Sequence, residues 1–273
     1  MKLVPFADLW TLAHHPSREC EWSLDQKFEE VRAAGFQGIA APLDIAVASL
    51  AMQNGLFSIG MIFPDGPEDF ARILKAQKEF GTHHVSVQLG AHDTSPAEAA
   101  KRWIKLEKIA DDLDLEISLE THRDSATETP EKLFELADRY AKATGRVLRL
   151  SWDFSHWAIV KHLHNAQHIE RLLARPELVQ HATLFRFRPF NAHHAQVAVT
   201  HNGDLTIEVI AFLEFAQEVM RIWKSAPGNR DRNMYACASL GPKGGCALTH
   251  FPPVWPDAVV LSSELQKRWD TAV

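Results

Sequence analysis

Two short segments carry residue types that do chemistry. LEISLETHRD (115–124) alternates Leu115, Ile117 and Leu119 with Glu116, Ser118 and Glu120, the period-two pattern of a half-buried strand, and runs into His122, Arg123 and Asp124. VLRLSWDFSHW (147–157) sets Leu148, Leu150 and Trp152 opposite Arg149, Ser151 and Asp153, and His156 follows. Carboxylate and imidazole groups at neighbouring strand ends suit a divalent ion or general acid–base work. Two acidic side chains on successive inward strand ends repel each other unless a cation or a proton lies between them.

Something must hold these ends together, and the rest of the chain supplies it. Short apolar runs at 4–10, 36–42, 57–63, 83–89, 115–122, 147–154, 181–187 and 234–240 read as strands. Amphipathic stretches separate most of them. Ser23, Ser95 and Thr129 stand where N-caps belong, Pro67, Pro96 and Pro130 open helices, and Gly35, Gly81 and Gly145 close them. Eight strand–helix units predict a closed parallel (β/α)8 TIM barrel, one domain over 1–273. The fourth strand puts His84, Ser86 and Gln88 opposite Val85, Val87 and Leu89; one polar face per strand fits a barrel better than an open sheet covered on both sides. Glu120 and His122 then lie on the inward track at the C-terminal mouth. Gln88, on that track, could hydrogen-bond a ligand at the mouth or plug the interior. Trp10 and Trp157 are read as core fillers.

Composition excludes some classes. The net charge is −6 and hydrophobic residues make up 46% of the 273. An acidic chain has no electrostatic claim on nucleic acid or an anionic membrane. Three scattered cysteines, Cys20, Cys237 and Cys246, make no disulfide framework. Neither a signal peptide nor a membrane span is expected, so the location is read as cytoplasmic. The apolar LTIEVIAFLEFAQEV leaves room for a homo-oligomer.

ETHRD and DFSHW, with the eight-unit order, resemble the xylose-isomerase-like barrel superfamily of sugar isomerases and epimerases, over nearly the whole chain. The resemblance implies one divalent metal, Mn²⁺ first, with Mg²⁺, Co²⁺ or Zn²⁺ as alternatives. Its ligands would begin with Glu120 and Asp153. His156 matches the substrate-contacting histidine of the family's D-x-x-H, and Arg186 or Arg188 would meet substrate hydroxyls or phosphate. Arg123 joins Gln88 among the substrate-binding candidates.

The other half of the pattern departs. On the seventh strand, where the family often has H-x-H, stands His181-Ala182-Thr183, so the third ligand is expected from His181 if the register shifts. On the eighth, Ser239 stands where a Glu is expected, and a serine is no carboxylate base. The implied reaction is proton transfer next to a carbonyl through an enediolate, with Glu120 as one base and His122 or His156 as the other. The substrate would be a sugar or sugar phosphate. The weak glycine-rich GPKGG (241–245) is compatible with a phosphate. Alternatives are a metal-assisted lyase or dehydratase on a ketosugar, a sugar-binding subunit with a degenerate metal site, and an abasic-site endonuclease, which the charge disfavours.

Overall fold

The computed structural model describes residues 1–272. Eight parallel strands close one barrel: β1 (Leu3–Asp8), β2 (Gly38–Ala41), β3 (Phe57–Ile62), β4 (His84–Val87), β5 (Ile117–Glu120), β6 (Leu150–Trp152), β7 (Leu184–Phe187) and, beyond a hairpin of β8 (Thr200–His201) and β9 (Asp204–Leu205), β10 (Met234–Ala238). β1 pairs with both β10 and β2, so no barrel edge is left open. The helices are α1 (Leu24–Ala33), α2 (Ile45–Gln53), α3 (Phe70–Glu79), α4 (Pro96–Asp112), α5 (Pro130–Thr144), α6 (Phe154–Lys161), α7 (His168–Leu172), α8 (Pro176–His181), α9 (Ile207–Ser225) and α10 (Val254–Thr271). None is long and apolar enough to cross a membrane among the described residues.

All eight expected strands form, each shorter than its expected run, and the first begins one residue earlier, at Leu3. Ser23 makes a capping box with Gln26 on α1, and Ser95 and Thr129 cap α4 and α5 through their hydroxyls. Gly145 ends α5 at φ 71°, a left-handed conformation that costs glycine nothing. α2 escapes the periodic reading because IAVASLAMQ is apolar almost all round.

Two cores result. Trp103, Trp152, Trp157, Trp223, Phe28 and Phe70 are fully buried in the larger, which lies around the strands and under the helices. A smaller apolar plug of Val4, Phe6, Ala40, Ile59, Leu184 and Cys237 fills part of the barrel. Gly38 makes room for it: a Cβ there would stand 2.3 Å from Cε1 of Phe6. The remaining interior is polar. His84 Nε2 lies 2.6 Å from Ser118 Oγ, and Ser118 bonds Ser151. At the N-terminal end, Glu116 sits 3.4 Å from Arg149 Nη1 and 3.7 Å from His84 Nδ1. The polar tracks read from the fourth, fifth and sixth strands are therefore inward in the barrel.

The seventh strand needs correction. It begins at Leu184, not at His181, which is the last residue of α8. His181 therefore lies at the N-terminal end, lining a cavity with Arg149 and Arg232, and Thr183 accepts a hydrogen bond from Arg232 at 2.8 Å. Helix-forming PELVQH overrides the apolar alternation that made His181 look like a strand opening.

Candidate active site

β5 ends at Glu120 because the chain turns there into a tight polar loop. Thr127 Oγ1 donates to the Glu120 carbonyl at 2.7 Å and accepts from His122 N at 3.1 Å, pinning the loop to the strand end. Glu120 itself is 2% exposed; Ser86 donates to Oε2 at 2.7 Å and Gln88 to Oε1 at 3.0 Å. Gln88 is thus a partner of the carboxylate, and its half-buried position leaves it at the rim.

Asp153 does two jobs. As N-cap of α6, its Oδ1 accepts from Ser155 N at 3.0 Å and Ser155 Oγ at 2.5 Å. Its Oδ2 lies 3.2 Å from Arg188 Nη2 and 3.6 Å from His156 Nε2, with no hydrogen bond to either. Burial alone would raise this carboxyl; Arg188, His156 and the Ser155 hydroxyl outweigh it and hold the group at about 2. His156 goes the other way. Burial, helped by Arg188, outweighs the attraction of Asp153 and pushes its imidazole down to about 3, so it is neutral at ordinary pH.

His122 packs on His156 with ring centroids 4.2 Å apart. Its Nδ1 lies 2.6 Å from the Arg123 carbonyl oxygen, an acceptor, so Nδ1 carries the proton and Nε2 keeps a free lone pair. Burial lowers its pKa below the usual histidine range, with Glu120 pulling the other way. His122 is half-buried and Arg123 exposed, both on the mouth's rim.

The arginines fill the space between the acids. Arg186, on β7, is 4% exposed and reaches across the mouth. One Nη2 bonds Asp8 at the end of β1 and, at 3.1 Å, Ser239 Oγ just past β10. Nη1 lies 3.3 Å from Met61 Sδ, and Nε stands 4.0 Å from Glu120 Oε1 without a partner. Burial would lower its pKa, but Asp8 and Glu120 drive it further up. Arg188, 5% exposed, donates through Nε to the Ser239 carbonyl at 3.1 Å and lies 5.9 Å from the centre of the Trp10 ring. Trp157 is core, but Trp10 is 40% exposed at the rim, as is Phe63 at 50%.

The structure thus brings Glu120, His122, His156, Asp153, Gln88, Arg186 and Arg188 to one place, with Arg123 beside them, and leaves His181 at the opposite end. Asp8 was missed in sequence reading; the signal available was an acid ending the first strand, VPFAD, level with the others. The residues present do not fit a divalent ion. Guanidinium groups already face the acids, Ser239 offers only a hydroxyl, and among the described residues no group of three or more His, Cys, Asp or Glu could hold a metal.

GPKGG does not make a phosphate cradle. Gly244 and Gly245 spend their N–H groups on Ala247 and Pro242 carbonyls, forming a turn. Beside it, a cavity of about 310 Å³ lined by Thr11, His14, His15, Arg18 and Lys243 opens on the same face but contains none of the mouth residues.

No family model matches the chain, and neither does any curated protein. Solved structures do. A sugar phosphate isomerase/epimerase from Parabacteroides distasonis is similar over 97% of this chain and 96% of its own, at TM-score 0.62 and 10% identity. A xylose isomerase-like TIM barrel protein from Mycobacterium smegmatis, in complex with magnesium, is similar over 98% of each chain at TM-score 0.59 and 12% identity. The probable 3-DHS dehydratase of petrobactin synthesis from Bacillus anthracis gives TM-score 0.59 and 14% identity, over 97% of this chain and 98% of its own. The chain has the fold of the xylose-isomerase-like TIM barrels.

Proposed function

We propose that this protein is an enzyme that moves a proton next to the carbonyl of a small hydroxylated substrate, from one side only, as an isomerase or a dehydrating lyase of carbohydrates. The observation that carries the reading is a trio of buried polar atoms without protein hydrogen-bond partners, Asp153 Oδ2, His156 Nε2 and Arg186 Nε, gathered at the barrel mouth. Each such atom costs about 1–3 kcal/mol when left unpaired. A substrate with adjacent hydroxyl and carbonyl oxygens matches them: the hydroxyl donates to Asp153 Oδ2 and meets His156 Nε2, 3.6 Å from that oxygen, and the carbonyl accepts from Arg186.

The chemistry follows from the side chains. His122 Nε2 takes the proton from the carbon beside the carbonyl; the electron pair of that C–H bond forms a carbon–carbon double bond, and the π pair of the carbonyl moves onto its oxygen. Arg186 Nε–H meets the charge developing there. Glu120 favours the imidazolium that His122 becomes. Returning that proton to the former carbonyl carbon, while the hydroxyl proton passes between the two oxygens, isomerises the substrate; giving it instead to a hydroxyl on the next carbon along, which leaves as water, dehydrates it. Two-sided epimerisation is the less supported outcome. Ser239, where an opposing base would stand, spends its own proton on Asp8 Oδ2 at 2.8 Å. Manganese-dependent versions of the reaction fit the donor set poorly. A small carbohydrate is the partner in this reading, and the cytoplasm its place.

The test is hydrogen exchange. Aldoses, ketoses, ketosugars and their phosphates are incubated with the protein in D₂O, and deuterium entering the carbon beside the carbonyl is followed by NMR. At least one compound is expected to exchange, and His122→Gln to slow that exchange by roughly 100-fold or more. The rate should hold level below the usual histidine pKa and fall only at lower pH, where His122 takes up a proton. Absence of exchange across the panel, or an unchanged rate in His122→Gln, contradicts the proposal.

A further inference from the structure

We propose that Arg186 is a built-in cation standing where this kind of barrel site would otherwise need a divalent metal. The inference deepens the reading above, because it names the group that faces the substrate oxygen, but it is tested without any substrate.

Position comes first. Phe185 pairs with Trp152 across β6 and β7, so Arg186 stands level with Asp153, and it is level with Cys237 on β10. From there its guanidinium touches Asp8 from β1, Met61 from β3 and Ser239 from the end of β10, with Glu120 of β5 4.0 Å away. One group therefore meets inward residues from four other strands, which is what a metal at the centre of the mouth would do.

Charge comes second. Three carboxylates, Asp8, Glu120 and Asp153, face two guanidiniums, Arg186 and Arg188, all 5% exposed or less. The acidic repulsion that a cation must relieve is already relieved by the chain itself. A divalent ion placed among them would sit within a few ångströms of two fixed positive charges in a poorly screened space.

Chemistry comes third. A guanidinium offers only donors and does not lose its proton in proteins. Both Nη atoms of Arg186 have partners, so the group is held still, and its Nε–H is the donor left over. A fixed N–H in a buried site can polarise a carbonyl oxygen and then bond the oxyanion, the work a Lewis-acid metal does elsewhere. A device of this kind works without a metal supply and offers one directed hydrogen bond in place of several coordination sites. It suits a neutral carbonyl oxygen at the reacting end of the substrate.

Manganese(II) chloride is titrated into chelator-treated protein, with free Mn²⁺ read by electron paramagnetic resonance. The wild type is expected to bind none stoichiometrically. In Arg186→His with Ser239→Glu, an imidazole and a carboxylate join Glu120 and Asp153. This variant should take up one Mn²⁺ per chain roughly 100-fold more tightly than the wild type. Adding Asp153→Asn should abolish that gain. One tightly bound Mn²⁺ per wild-type chain, lost in Asp153→Asn, overturns the proposal; so does a double variant that keeps its circular dichroism spectrum but gains no site. The wild-type titration decides by itself if the double variant does not fold, and neither result depends on whether proton exchange is found.

Discussion

His156 Nε2 and Asp153 Oδ2 sit 3.6 Å apart, almost wholly out of water. Their protonation feeds directly into stability. His156 is held at about 3 when folded against an ordinary 6.5, so between those values the unfolded chain takes up a proton that the folded chain refuses. Stability contributed by His156 is complete above pH 6.5 and drains away as the pH falls towards 3, by up to about 1.4 kcal/mol per pH unit. Asp153, held at about 2 against an ordinary 3.8, adds a loss only below that ordinary value. His156→Gln should therefore flatten the decline between pH 6.5 and 4 relative to the wild type. Urea unfolding across that range, with the slope of each transition unchanged, measures it; identical pH dependence in both proteins contradicts the assignment. Residue types and their order made Glu120, His122, Asp153 and His156 legible in the sequence. The arginine bridges were not: that Arg186 spans the mouth to Asp8 depends on a contact between positions 178 residues apart, which no local pattern encodes.

At the scale of elements, the site is held by the turn after β5 and the start of α6. Thr127 is the joint between them. Its hydroxyl bonds the Glu120 carbonyl and the His122 N–H, its neighbour Ser125 bonds it at 2.9 Å, and its own carbonyl accepts from Trp157 Nε1 of α6 at 2.9 Å. Thr127→Val keeps the shape and the Trp157 bond but leaves the Glu120 carbonyl and the His122 N–H short of a partner. It should cost about 1–3 kcal/mol by chemical denaturation. It should also slow proton exchange more than it weakens substrate binding, since His122 loses its anchor. A stability within a few tenths of a kcal/mol of wild type would show that the turn is held by other means. The strands and most helix caps were readable because period-two alternation and Ser-x-x-Gln or Thr-Pro signals are local. His181 misled because HATLFRF alternates well, yet PELVQH just before it closes as a helical turn and takes His181 with it. α2 gave no signal because a helix apolar on most sides has no stripe to detect.

At the scale of the molecule, closure of the sheet makes eight strand ends into one ring. The fold was legible from the count and order of units, since a closed barrel follows from eight alternations with one polar track per strand. What the sequence could not display is how the ring divides its interior between the apolar plug around Phe6 and the polar column from Glu116 to Glu120. Closure brings β1 against β10, and so places Asp8 next to Ser239 and in reach of Arg186. The central claim is that the mouth accepts adjacent oxygens of a small hydroxycarbonyl compound through Asp153, His156 and Arg186. A crystal structure of the protein soaked in the compound that exchanges fastest in D₂O tests it most directly. The expected result is the carbonyl oxygen within hydrogen-bonding distance of Arg186 Nε and the neighbouring hydroxyl within that of Asp153 Oδ2, with the hydroxyl-bearing carbon facing His122 Nε2. A compound bound elsewhere on the barrel, with those atoms left as they are, would contradict the account.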